Sequence, residues 1–217
     1  MTAARFITFE GGEGTGKSTQ IRLLAEALSA QGIDCVETRE PGGSPFAETI
    51  RDLILEPTTP GHGPLSEALL FSAARADHLE KTIRPALAAG NWVLCDRFAD
   101  STRAYQGAAG GLESNMLLQL EEMVIQTTRP DLTVILDLDV SKAFERVAAR
   151  RLQKSAGTDP DDAYESRHRD FHEALRQGFL RIAHDEPERC VVVNAEPEQQ
   201  AIAQNIWSLV QTKLLRE

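Results

Sequence analysis

Gly11-Gly12-Glu13-Gly14-Thr15-Gly16-Lys17-Ser18 is the stretch of this chain with the clearest chemistry. It fits the pattern G-x-x-x-x-G-K-[ST] without a mismatch. Glycines let backbone N–H groups converge on phosphate oxygens, where side chains would collide. A helix starting at Ser18 adds its positive N-terminal end. Lys17 would reach the β- and γ-phosphates of a nucleoside triphosphate, and Ser18 would ligate its Mg²⁺. An accidental Lys-Ser after a glycine turn is the plain alternative; a strand before the motif and a helix after it argue against that. Many activities share this loop, so it does not name the acceptor. A GTPase would carry Asn-Lys-x-Asp after a late strand, and this chain has Asn194-Ala195-Glu196-Pro197 there.

A second constellation begins at Val93-Leu94-Cys95-Asp96, an apolar run closed by an acid. In doubly wound folds ligands bind at the carboxyl ends of strands, so Asp96 is a candidate to hold Mg²⁺ or its water shell. Arg97 to Gly107 then brings two arginines, hydroxyls, a tyrosine and an amide to the same mouth. The bland reading is a solvated, charged helix start. Against it stands the buried strand directly before.

These residues need a frame. Arg5–Phe9, Asn91–Cys95, Leu132–Leu136 and Cys190–Val193 are short, near-continuous apolar runs, as strands covered on both faces are; Asp34–Thr38 is a weaker fifth. Ile21, Leu24, Ala25 and Leu28 recur at helical spacing before Gly32, and Met116 to Val124 and Ile202 to Lys213 do the same. Alternating strands and helices predict an α/β domain with a parallel sheet flanked by helices. No linker divides the 217 residues, so one domain is expected over 1–217. Glu56–Pro64, rich in proline and glycine, reads as a loop. Lys154–Asp162, polar and turn-rich between helical stretches, is either a mobile lid or a plain surface loop.

The formal net charge of −10 argues against a general polyanion-binding surface, hence no nucleic-acid partner. No run approaches a membrane span, and the start of the chain lacks the apolar core of a signal peptide. Cys35, Cys95 and Cys190 are widely separated, and the first two sit in apolar runs, which predicts buried thiols in a reducing, cytoplasmic setting.

Asp96-Arg97-Phe98-x-x-Ser101-Thr102-x-Ala104-Tyr105-Gln106-Gly107 resembles the signature of thymidylate kinases. Three further segments are similar to the same family: the phosphate loop with Phe9-Glu10 before it, Thr38-Arg39-Glu40-Pro41-Gly42-Gly43, and Phe71-Ser72-Ala73-Ala74-Arg75. The resemblance implies a P-loop NTPase fold of the nucleoside monophosphate kinase kind, with a five-stranded parallel sheet, a lid and a homodimer. It implies ATP and Mg²⁺ as donor and metal, and dTMP as acceptor. Residue by residue, Phe71 would stack on thymine and Arg75 would bond the base edge. Ser101 or Thr102 and Gln106 would complete the polar contacts. Tyr105 would crowd a 2′-hydroxyl, Arg97 and Arg39 would hold the acceptor phosphate, and Glu13 would lie near the 3′-hydroxyl. Taken alone, Phe71 is a core residue and Arg75 a surface arginine; their joint spacing gives them weight.

Phosphoryl transfer needs a positioned cation for its developing charge. Some thymidylate kinases carry an arginine inside the phosphate loop, where this chain has Gly14. The bacterial pattern puts arginines in the lid, expected here over about 146–163. Arg146 and Arg150 share a helix face, and Arg150 and Arg151 match the lid arginines better. The lid is long, and its second half carries Asp159, Asp161 and Asp162 where the family has a base. The alternatives to a thymidylate kinase are another nucleoside monophosphate or deoxynucleoside kinase, and a non-catalytic P-loop module.

Overall fold

The apolar runs become strands, each reaching one residue further toward its polar end than hydrophobicity alone marks. The computed structural model describes residues 3–56, 62–153 and 167–215. In chain order these form β1 (Phe6–Glu10), α1 (Lys17–Ser29), β2 (Cys35–Arg39), α2 (Pro45–Leu55), α3 (Pro64–His78), α4 (Arg84–Ala88) and β3 (Trp92–Asp96). There follow α5 (Ala99–Thr102), α6 (Ser114–Ile125), β4 (Leu132–Asp137), α7 (Val140–Gln153), α8 (Arg169–Asp185), β5 (Cys190–Asn194) and α9 (Gln199–Val210). Pro45 and Pro64 open α2 and α3 where a missing N–H costs nothing. A wider π-type turn, Leu79–Ile83, joins α3 to α4, and another, Arg103–Ala109, continues α5. The second buries four successive residues, Ala104 to Gly107, which an α-helical face would not do.

Five strands form one parallel sheet in the order β2-β3-β1-β4-β5. Its faces follow the alternation of side chains along each strand. Ile7, Phe9, Trp92, Leu94, Val134 and Leu136 pack with Ile21, Leu24 and Leu28 of α1 and Ile202 and Ile206 of α9. Phe6, Val93 and Cys95 face the other side, beneath Leu79, Ile83 and Phe98. Each such side chain contributes about 1.5–3 kcal/mol by leaving water. β2 is an edge strand, so it is covered less than expected: Cys35 is half-buried, whereas Cys95 and Cys190 are buried. All three are free thiols.

β1 sits mid-sheet, and its register sets Phe9 beside Asp96 on β3. The turns after β1 and β3 therefore open side by side. The lid expected over about 146–163 begins on α7; residues 154–163, including the acids Asp159, Asp161 and Asp162, lie outside the described part.

Candidate active site

The glycine loop leaves β1 at Gly11, whose φ is +130°. A Cβ there would lie 2.5 Å from the Leu136 carbonyl oxygen, so no side chain fits. At Gly14 (φ +70°) a Cβ would come within 2.6 Å of the Ala143 carbonyl oxygen and 3.1 Å of Val147, both on α7. α7 thus rests on the loop at Gly14 and leaves no room for a side chain there. Gly16, left-handed at φ +93°, starts α1. Lys17, buried, folds back so that Nζ donates to Gly11 O (3.2 Å) and Gly12 O (3.0 Å). Burial first, then Arg97, lowers its pKa; Asp96, Glu13 and Glu10 oppose this. Ser18 Oγ donates to Asp96 Oδ2 at 2.8 Å, joining the helix start to the end of β3.

Arg97 follows Asp96 with φ +69°, a left-handed conformation that costs a non-glycine residue about 1–3 kcal/mol. Its backbone is held on both sides. Its N–H donates to Phe9 O (2.9 Å), and the next N–H, of Phe98, donates to Glu10 Oε1 (2.7 Å). The guanidinium donates to Gly11 O (3.0 Å), pairs with Glu13, and lies 5.1 Å from the Tyr105 ring centroid. Burial pushes the Glu13 carboxyl up, but Arg97 and Lys17 together outweigh it and hold the group at about 2. Beneath them Glu10 also accepts from Ser101 Oγ (2.6 Å); burial, with the charge of Asp100, pushes its pKa to about 8.

Further along the cleft Arg75 is fixed by Glu40, Phe98 O and Thr102 Oγ1. Phe71, half-buried, lines the same wall. Gln106 is buried and donates to Glu67 Oε2 at 2.9 Å. Tyr105 donates to Glu13 Oε1 (3.2 Å) and packs edge-on against Phe171 and Phe179. Arg39, largely exposed, is paired in fork fashion with Glu48 at 3.0 and 2.9 Å.

One cleft of about 1050 Å³ runs from Phe71 and Arg75, past Arg97 and the glycine loop, to Glu196–Gln200, with Glu10, Glu48 and Glu67 behind its walls. Arg150 is among its lining residues; Arg151, exposed, is not. Arg146 donates to Ala195 O (2.9 Å) and Glu196 O (3.1 Å), tying α7 to the loop after β5. The expected residues Gly14 to Ser18, Glu13, Arg39, Phe71, Arg75, Asp96, Arg97, Ser101, Thr102, Tyr105 and Gln106 line the cleft, and Gly11 and Gly12 lie just behind the loop. Sequence reasoning gave no role to Glu10, Glu40, Glu67, His78, Arg51 or Gln199. The acids among them lie in or beside the recognised motifs, but nothing in a sequence marks a carboxylate as buried.

Comparison with known proteins follows the same lines. The family profile described as "Thymidylate kinase" matches residues 9–206. The chain is similar to a thymidylate kinase of Bradyrhizobium diazoefficiens, 49% identical over 97% of this chain and 90% of the relative. It is similar also to one from Rhodopseudomonas palustris (strain ATCC BAA-98 / CGA009), 51% identical over the same shares. Among solved structures it resembles the crystal structure of thymidylate kinase from Ehrlichia chaffeensis, with a TM-score of 0.76 and 36% identity over 96% of this chain and 99% of that one.

Proposed function

Because this chain belongs to the thymidylate kinase family, it is a kinase that transfers the γ-phosphoryl group of ATP to dTMP, and we propose that the cleft just described is where it does so. One observation carries the assignment of the site. Lys17 Nζ and Arg97 Nη1 both donate to the same carbonyl oxygen, Gly11 O, at 3.2 and 3.0 Å. Lys17 belongs to the donor's phosphate loop and Arg97 to the turn after β3, so the shared carbonyl holds two cations side by side where the donor and acceptor halves of the cleft adjoin. Transfer of this kind is mostly positioning and charge neutralisation. Lys17 and the loop N–H groups hold the donor phosphates, and Arg97, with Arg39 at the rim, holds the acceptor phosphate. Glu13, kept ionised by both cations, orients Arg97 and Tyr105 and faces the sugar 3′-hydroxyl.

Phe71 stacks on the base, Arg75 bonds its edge, and Ser101, Thr102 and Gln106 complete the polar wall. Tyr105 fills the space beside the sugar where a 2′-hydroxyl would project. Arg150, with Arg151 behind it, supplies the lid cation. Asn194–Pro197 and Arg146 flank the adenine end. Ser18 Oγ and Asp96 Oδ2 form a pair of hard oxygen ligands, which fits Mg²⁺, an ion that keeps water and phosphate oxygens in its other positions. Bound there, it would neutralise charge on the β- and γ-oxygens.

A homodimer is part of the same reading. α2, α3 and α6 pack side by side and carry exposed apolar residues: Phe46 and Leu53, Leu65 and Leu69 (50%), Met116 and Leu118. Free thiols support a reducing, cytoplasmic setting, and the charge of −10 supports a protein without a nucleic-acid partner. Among the described residues no helix is long and apolar enough to cross a membrane.

ADP release measured across dTMP, dUMP, dCMP and AMP tests the acceptor, with Lys17→Ala as the control. dTMP should be the best acceptor and dCMP poor, and Lys17→Ala should fold yet release no ADP. If AMP or dCMP were preferred, the acceptor assignment would fall while the kinase chemistry stood; a pure binding module would release ADP with none of them.

A further inference from the structure

Arg75 is only 4% exposed, and its bonding is asymmetric. Nε gives its hydrogen to Glu40 Oε2 (2.7 Å). Nη2 gives its hydrogens to Phe98 O (3.0 Å) and Thr102 Oγ1 (3.1 Å). The guanidinium also lies 5.2 Å from the Phe98 ring centroid, which fixes its plane. Nη1 takes no partner among the described residues, and Arg75 lines the cleft. Three of the group's five N–H hydrogens, on Nε and Nη2, are used to lock it, and the remaining amino group is what it offers a ligand.

The lock is itself locked. Glu40 is buried, and its second oxygen, Oε1, lies 3.1 Å from His78 Nδ1. On the far side of the ring, His78 Nε2 is 2.7 Å from Thr38 Oγ1. Arg75 and His78 are one turn apart on α3, so both grip the same carboxylate. Gly43 keeps the end of this chain open. It is left-handed (φ +82°), and a Cβ there would sit 2.4 Å from His78 Nε2 and 2.5 Å from Thr38 Oγ1. A buried ion pair is poor evidence of extra stability, since desolvation offsets its attraction; what it gives is a defined geometry.

We propose that Glu40, braced by His78 and Thr38, is a positioning residue that makes Arg75 selective among acceptor bases. The inference rests on the reading of Arg75 as the base-edge contact and goes beyond it. Thymine offers a carbonyl oxygen at that edge, and cytosine offers an amino group. A loose arginine would swing away from the amino group at little cost. A braced one holds donor against donor and leaves both unsatisfied, so bracing turns a favourable contact into rejection of the wrong base.

The experiment compares kcat/KM for dTMP and dCMP in wild type and in Arg75→Ala, Glu40→Gln, His78→Leu, His78→Asn and Thr38→Val. The ratio of the two acceptors is insensitive to how much protein is folded, so simple destabilisation does not move it. Glu40→Gln and His78→Leu should lower the dTMP preference by about tenfold or more, mainly through a higher KM for dTMP and with kcat at saturation changing less. Thr38→Val, which leaves the ion pair whole, should shift the ratio in the same direction by less. His78→Asn, which can still donate to Glu40, should keep most of the preference. If Arg75→Ala collapses the ratio while Glu40→Gln, His78→Leu and Thr38→Val leave it at the wild-type value, the bracing role is refuted and the base contact stands. If Arg75→Ala leaves the ratio unchanged, the base contact itself is refuted and the inference falls with it. Should Glu40→Gln fail to fold, the His78 and Thr38 variants decide by the same ratio.

Discussion

Replacing Arg97 tests the centre of the site, and the backbone dictates the substitution. With φ at +69°, alanine would add strain of its own, whereas asparagine accepts the left-handed conformation. Arg97→Asn therefore removes the cation and leaves the turn. Two charge-assisted hydrogen bonds to the acceptor phosphate, at about 1.5–3 kcal/mol each, amount to roughly 3–6 kcal/mol. That is a fall of about 10²–10⁴ in kcat/KM for dTMP. A second effect follows from Glu13. In the wild type it is held at about 2 against an ordinary 4.5, so it stabilises the fold at all pH values above 4.5 and that contribution fades as pH drops toward 2. Without Arg97, burial is opposed only by Lys17 and the Tyr105 hydroxyl, and the Glu13 pKa must rise. The variant should lose up to about 3 kcal/mol of stability at neutral pH. It should also show an acid limb in its pH–rate profile above that of wild type. Steady-state kinetics at saturating ATP across pH, with thermal unfolding of the same samples, measures both. A kcat/KM within about threefold of wild type would refute Arg97 as the acceptor-phosphate ligand, since even one lost bond of this kind costs more. An unshifted acid limb would refute its control of Glu13.

Two further outcomes are expected. Arg150→Ala should lower kcat by about a hundredfold or more at saturating ATP, as loss of an arginine that meets transferring phosphate does, while Arg151→Ala, outside the lining of the cleft, should do less; equal, near-wild-type turnover in both would move the catalytic cation elsewhere. Glu10, with a pKa raised from 4.5 to about 8, favours the fold most below 4.5 and loses that advantage as pH rises through 8, so the stability of Glu10→Gln relative to wild type should climb between those limits; denaturant titrations at several pH values showing no such slope would contradict a buried, protonated Glu10.

Much of this fold was legible because its strands are nearly continuous apolar runs and its phosphate loop is built of glycines whose backbone angles admit little else. The strand ends were misjudged by one residue, each for the same reason. Glu10, Asp96, Asp137 and Asn194 are polar yet still pair in the sheet, and hydropathy does not record backbone pairing. That the expected side chains would line one cleft was also legible, through the spacing of Asp96 to Gly107 and of Phe71 to Arg75. Their supports were not. Glu10 reaches 88 residues along the chain to the Phe98 N–H, Glu40 reaches 35 to Arg75, and Glu67 reaches 39 to Gln106. A carboxylate is expected in water unless its partner is known, and the partner is fixed only by the fold. The π-type turn at Arg103–Ala109 was hidden for a similar reason: its period is set by packing of Tyr105 and Gln106 inward and not by a pattern of apolar residues.

The contact between Gly14 and α7 bears on what position 14 accepts. A single substitution cannot seat an arginine in the phosphate loop at position 14. An arginine at 14 would begin with a Cβ 2.6 Å from the Ala143 carbonyl, on a backbone angle that disfavours any side chain. To admit it, α7 must first withdraw, and withdrawing α7 carries Arg150 away from the cleft and breaks the bonds from Arg146 to the loop after β5. Glycine at position 14 and the close seat of α7 against it are therefore coupled by sterics: neither changes freely while the other stays.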